Sequence, residues 1–188
     1  MRNGLGKIFI YILIASLIFS CNEKEEQPVM PSYKINYQNN APIFDADNAF
    51  AMIKKQTDFG PRNPNSEGHN NTLAFLSSKL DEYADEVSLQ NFEYPGYDGE
   101  KLKLTNIIGK FNSGKENRIL LCAHWDTRPW ADEETDPSMR NIPISGANDG
   151  ASGVAVLLEI ARIISENKLP YGVDIIFFDG EDYGKAND

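Results

Sequence analysis

Apolar residues recur along the chain in three rhythms, and each predicts a different element. The first is an apolar core of 12 residues, Ile8 to Phe19, interrupted only by Ser16, with Arg2 and Lys7 before it and Ser20-Cys21 behind it. That core is too short to span a bilayer comfortably and predicts an export signal. The second rhythm is helical. Asp47 can cap a short helix running through about Gln56 with Phe50 and Ile53 inward, before "FGPRNPNSEGHNN" breaks the pattern with prolines and glycines. Ser66 or Asn65 can cap a second helix, in which Leu73, Leu76, Leu80 and Tyr83 form one apolar face. A third, covered helix is predicted from Gly150 to Glu166, with Val154, Leu157, Leu158 and Ala161 as a stripe widened by Val156 and Ile160. The last rhythm belongs to strands. "EVSLQNFEY" alternates, "KLKLTNIIGKF" does the same around Leu102 and Leu104, "RILLCAH" is a continuous run suited to a central strand, and "GVDIIFFD" closes the series. An early antiparallel pair followed by alternating strands and helices predicts an α/β fold, a single domain with a central mixed β-sheet flanked by helices.

Composition narrows the function classes. In 188 residues, 18 basic and 28 acidic side chains give a net charge of -10, which argues against nucleic acid as a partner. "LIFSC" resembles a bacterial lipoprotein signal, in which Cys21 becomes the lipidated first residue of the mature chain; the alternatives are an uncleaved anchor or ordinary secretion. The expected organisation is a signal over residues 1–20, a polar tether over 21–36 and a folded domain over 37–188 that starts near Tyr37. The protein is then exported and lipid-anchored in the bacterial cell envelope, and removal of the signal leaves 16 basic against 28 acidic residues, a net charge of -12. After Cys21 only Cys122 remains, so no intrachain disulfide is available, and its place in an apolar run reads as core rather than nucleophile.

Candidate chemistry collects at strand ends, where such folds place it. In "AHWDT", His124 and Asp126 are two apart and share a side, so the carboxylate can orient the imidazole as it does behind metal ligands. The bland alternative is a hydrogen-bonded rim histidine. In "SGANDGASGVAV", Asp149 precedes the covered helix, where it can serve simply as an N-cap. In "FFDGEDYG", three acids (Asp179, Glu181 and Asp182) follow an apolar run, and because Glu181 and Asp182 are consecutive they project differently. One can hold a metal while the other faces the reacting group. The 19-residue connection Thr127 to Ser145 is long enough to border a pocket. Within it Trp130 is a possible substrate lid, while Asp132, Glu133, Glu134 and Asp136 read as a solvated acidic face without calcium-loop spacing.

Together, "FGPRNPNSEGH", "AHWDTRPWADEE", "SGANDGASGVAVLLEIAR" and "VDIIFFDGEDYG" resemble the zinc-dependent exopeptidase clan, and within it the bacterial glutaminyl-peptide cyclotransferases, from about Phe44 onward. The resemblance implies one zinc ion held by Asp149, by Asp182 and by a later histidine, with Glu181 as general acid/base. The substrates it implies are peptide or protein N-termini. It also implies that His124 lies beside the metal without being its usual ligand. Because only His69 and His124 are present, the third ligand is expected beyond Asp188, and the chain is expected to be incomplete at its C-terminus. The rival within the clan is an aminopeptidase with two zinc ions, in which His124 becomes a ligand and Asp149 a bridge. From another class, a non-catalytic, lipid-anchored binding domain would keep the scaffold alone.

Overall fold

The computed structural model describes residues 41–167 and 169–184, so the signal, Cys21, the tether and Tyr37 lie outside the described residues. From Pro42 onward these residues belong to one compact unit. Its elements, in chain order, are α1 (Ala46–Asp58), α2 (Glu67–Asp81), β1 (Glu86–Pro95), β2 (Lys101–Phe111), β3 (Arg118–His124), α3 (Gly153–Glu166) and β4 (Gly172–Phe178). The strands form one mixed sheet in the order β1-β2-β4-β3, with β1/β2 and β2/β4 antiparallel and β3/β4 parallel. The expected mixed α/β sheet is therefore present.

Helix starts follow from local hydrogen bonding. Ser66 accepts the His69 N–H at 3.0 Å and caps α2, whose Leu76 and Leu80 are fully buried. At α1 the cap is Asp45, which accepts the Asn48 N–H at 2.9 Å, and Asp47 falls in the first turn instead. The buried positions of α1 are Ala49 and Gln56, while Phe50 is 62% exposed, so the inward face is rotated from the predicted one. The helix continues to Asp58.

The core is a single cluster. Leu76 and Leu80 of α2, Ile107 and Phe111 of β2, Val154, Leu157, Leu158 and Ala161 of α3, and Val173, Ile175 and Phe177 of β4 pack together with Trp125. β4 is the buried inner strand of the parallel pair. β3, expected to be central, is an edge among the described residues. Its Leu121 and Ala123 pack toward the core, but Leu120 is 57% exposed and Cys122 is exposed on the opposite face. A run of apolar residues cannot by itself say whether both strand faces are covered, which is why Cys122 was misplaced.

The segment before α3 also differs from its prediction. Regular helix begins at Gly153, and the six residues Ala147–Ser152 form a kinked turn in which Asp149 (φ -94°, ψ 108°) and Gly150 (φ 83°, ψ -47°) leave helical geometry. Asp149 is therefore not the N-cap of α3. Within the helix Val156 is 43% exposed, and Glu159 is buried instead, taking the Asp45 N–H, the Asn48 amide and Arg162.

Candidate active site

Because β3 and β4 run parallel, with His124 in register with Phe178, their C-terminal ends deliver "HWDT" and "DGEDYG" to the same edge of the sheet. The Trp125 N–H extends the pairing to the Phe178 carbonyl at 2.9 Å. Asp126 follows, completely buried. Its two carboxylate oxygens accept the backbone N–H groups of Glu181 at 3.2 Å and Asp182 at 3.1 Å. This carboxylate thus fixes the turn that carries the acid pair, a task that sequence spacing could not reveal because the two segments are 55 residues apart.

A second buried group sets the turn around Asp149. Arg62 has no exposed surface and donates to the carbonyls of Trp125 (2.9 Å), Ser145 (2.8 Å) and Gly146 (2.7 Å). Burial lowers its pKa to about 10, opposed by the nearby Asp126 carboxylate. The guanidinium joins the β3 end to the Ser145–Gly146 turn by satisfying carbonyls that have left regular structure. Two glycines make the close approach possible. A Cβ on Gly146 (φ 58°) would stand 2.2 Å from the Thr127 methyl, and one on Gly150 (φ 83°) would stand 3.0 Å from the Asp126 carbonyl and 3.2 Å from the His124 ring.

Asp149 thereby reaches His124. Its Oδ1 lies 2.8 Å from His124 Nε2, while His124 Nδ1 is 3.5 Å from Asp126 Oδ1 and 3.9 Å from Glu181 Oε2. The carboxylate of Asp126, and after it those of Asp149 and Glu181, raise the imidazole pKa to about 9 against the opposing effect of its burial. His124 and Asp126 share a side, as their spacing predicts.

Asp182 comes from the other direction. It is nearly buried, and it accepts the Arg128 N–H at 2.8 Å and Arg128 Nε at 3.1 Å. Burial raises its pKa and the charge of Asp149 adds to that, whereas Arg128 lowers it. Asp149 and Asp182 line one cavity of about 500 Å³ together with Arg128, Trp130, Asp132 and Glu133. Trp130 is thus in the wall, and the long connection does border a pocket. Asp132 is not merely solvated, since it meets Arg128 Nη1 at 3.2 Å; Glu133, Glu134 and Asp136 are exposed as expected.

The structure separates the acids and histidines of these segments into two groups. Asp149, Asp182, Glu181, His124 and Asp126 come together. His69 does not join them, because it is buried in the first turn of α2, where Nε2 meets Asp179 Oδ2 at 2.9 Å and the ring stacks on Trp125 at 4.4 Å. Asp179, the first of the three acids, also accepts the Thr105 N–H at 2.6 Å and so anchors β2. Among the described residues no group of three His, Cys, Asp or Glu side chains is arranged to hold a metal ion. Two like-charged carboxylates from separate segments nevertheless face one cavity, and one of them is nearly buried. Carboxylate oxygens are the donors a divalent cation takes, and a cation here would displace Arg128 from Asp182 and His124 from Asp149 Oδ1.

Comparison with known proteins bears on the same residues. Residues 106–186 match the sequence profile of Peptidase family M28. The chain carries a peptidase M28 domain. Its structure is similar to the glutaminyl cyclase of Tannerella forsythia, with 49% identity and a TM-score of 0.75, over 77% of this chain and 50% of that one. It is similar also to the glutaminyl cyclase of Bacteroides thetaiotaomicron, with 49% identity and a TM-score of 0.76, over 79% of this chain and 51% of that one. A leucine aminopeptidase precursor from Bacteroides thetaiotaomicron matches with 49% identity and a TM-score of 0.75, over 78% of this chain and 50% of that one. The chain thus spans about half the length of these proteins. Within the M28 domain lie His124, Asp126, Asp149, Glu181 and Asp182, so the matched region includes every residue gathered at the strand ends except Arg62.

Proposed function

We propose that this M28 domain provides the acidic part of a zinc-dependent glutaminyl-peptide cyclotransferase, which converts an N-terminal glutamine to pyroglutamate and releases ammonia. The observation that carries the reading is that Asp149 and Asp182 face one cavity with Glu181 placed beside them through Asp126 and His124. Likeness to two glutaminyl cyclases at 49% identity supports this chemistry. Asp149 and Asp182 would hold the zinc ion, with a further ligand from outside the described residues. When bound, zinc supplies Lewis acidity toward the γ-carbonyl of the glutamine.

The remaining work falls to side chains of this chain. Asp126 fixes the Glu181 backbone N–H, and the Glu181 carboxylate, 3.9 Å from His124 Nδ1, is next in sequence to the cavity-lining Asp182. Glu181 takes a proton from the attacking α-amine and returns it to the departing nitrogen. Nucleophile and electrophile belong to one residue, so the pocket chiefly has to fold that residue into reactive geometry, with Trp130 as a wall. The apolar segment before Cys21 supports export, with Cys21 as the point of lipid attachment.

Replacing Glu181 by Gln tests the assignment in protein expressed from its complete reading frame. Ammonia release should fall at least about 100-fold, the scale of general acid/base catalysis, while zinc content stays unchanged. Unchanged turnover would end the role of Glu181. The second reading, a two-metal aminopeptidase, is favoured by one contact, the 2.8 Å approach of His124 Nε2 to Asp149 Oδ1, which would let both serve a second ion. Two zinc ions per chain and release of free amino acids from peptides would select it.

A further inference from the structure

Beside the acidic cavity lies a second one of about 480 Å³, within the range of small-ligand pockets, which none of the chemistry above uses. The distal end of the β1/β2 hairpin forms one side, through Phe92, Tyr94, Tyr97, Leu102 and Leu104. Gly180 and Tyr183 form the other. Here Phe92 is 37%, Tyr97 43% and Tyr94 63% exposed, a concentration of aromatic surface that a two-stranded hairpin does not need for its own pairing.

Two features connect this cavity to the candidate site. The first is the turn between them: Gly180 and Tyr183 face the aromatic cavity, whereas Asp182 of the same turn faces the acidic one. Gly180 (φ 75°) lies so close to the hairpin that a Cβ would stand 2.8 Å from Leu104 Cδ1. The second is a ring cluster. Tyr97 and Tyr183 stack at 5.7 Å, and Trp130, in the wall of the acidic cavity, meets Tyr97 at 5.7 Å and Tyr183 at 5.5 Å. The hydroxyl of Tyr183 donates to Glu100, which pins the ring to the hairpin. The two cavities therefore share an aromatic ridge.

Charge identifies what crosses that ridge. A peptide arrives with a cationic α-ammonium group, complementary to the exposed carboxylates of Glu133 and Glu134 in the wall of the acidic cavity. Successive Cα atoms are about 3.8 Å apart, and an extended residue advances about 3.3 Å, so a side chain one or two positions along is on the length scale of the four-residue turn Gly180–Tyr183 that the cavities flank.

We propose that the hairpin cavity is a specificity subsite that receives a bulky apolar side chain, aromatic or leucine-like, from the second or third residue of the peptide substrate. The subsite rests on the cyclotransferase reading for its reaction but not for its binding. Its test is run on protein from the complete reading frame with peptides Gln-Phe-Ala and Gln-Gly-Ala. The ratio of kcat/KM for ammonia release, Phe over Gly, should be about tenfold or more. In Phe92→Ala and in Tyr97→Ala, both at exposed positions that spare the core, that ratio should fall to within about twofold. A wild-type ratio near one, or a ratio unchanged in both variants, overturns the subsite while leaving the cyclase reading intact. Binding is read separately by photo-crosslinking Gln-(benzoyl-Phe)-Ala and mapping the adduct by mass spectrometry. Adducts on the Phe92–Leu104 segment support the subsite even if no peptide releases ammonia, in which case only the cyclase reading fails. Adducts confined to other segments overturn it.

Discussion

The two histidines of the chain each meet an aspartate, in opposite surroundings. His69 and Asp179 are sealed: both are buried, the ring lies on Trp125, and the carboxylate also takes the Thr105 N–H. His124 and Asp149 meet at 2.8 Å, but the Asp149 side chain is 67% exposed and borders a cavity. The same pair of functional groups therefore serves as an internal brace in one place and as a presented set of donors in the other. Burial makes the difference. A hydrogen-bonded pair removed from water is costly to disrupt, whereas an exposed carboxylate can exchange its partner for a cation at little cost.

The sharpest way to break this comparison is to remove each carboxylate in turn. Asp179→Ala should destabilise the fold by about 2–5 kcal/mol, because it strands His69 Nε2 and the Thr105 N–H in the interior without a hydrogen-bond partner. Denaturant unfolding measures this, and a loss below about 1 kcal/mol would mean that the sealed pair is not a brace.

A smaller effect is expected at Glu159, a buried carboxylate remote from both pairs. Arg162, and then the Asp45 N–H and Asn48, hold its pKa at about 2 against its burial. A depressed carboxylate contributes stability above its ordinary value, near 4.5, and loses it as pH falls toward about 2. The Tm difference between wild type and Glu159→Gln should accordingly be largest at neutral pH and shrink on acidification through that window. A difference that stays constant would remove Glu159 as the source.

The smallest effect on stability, and the most informative for function, is Asp149→Asn. Unfolding should change by less than about 0.5 kcal/mol, as expected for an exposed side chain. Zinc affinity, measured by competition with a chromophoric chelator, should drop at least about tenfold. If Asp149→Asn instead unfolds the protein as severely as Asp179→Ala, the contrast between the two pairs disappears.

Much of this arrangement was legible in the chain itself. Periodicity placed the four strands and three helices, and β2 and β3 have the very bounds that their apolar patterns suggest. Ser66 was visible as a cap because capping is decided within three residues. Phe50 shows the limit of that approach. On a helix with few apolar residues, which face turns inward depends on the neighbours it meets, and here Gln56 donates to the Ala151 carbonyl in the turn before α3 while Phe50 stays exposed. Cys122 and Val156 were misread for a related reason, since apolarity records what a position tolerates rather than what covers it. Arg62 was overlooked because a lone arginine in a proline-rich stretch carries no local mark of burial.

The sequence by itself determined the rhythm of the elements and the presence of acids at strand ends, since these depend on side-chain spacing along a backbone of known geometry. Only the tertiary structure decided the duties of those acids: Asp179 to brace, Asp126 to fix a turn, Asp149 to leave helical geometry and Asp182 to face the same cavity. Each duty is set by burial and by partners tens of residues away, and those quantities exist only once the chain has folded back on itself.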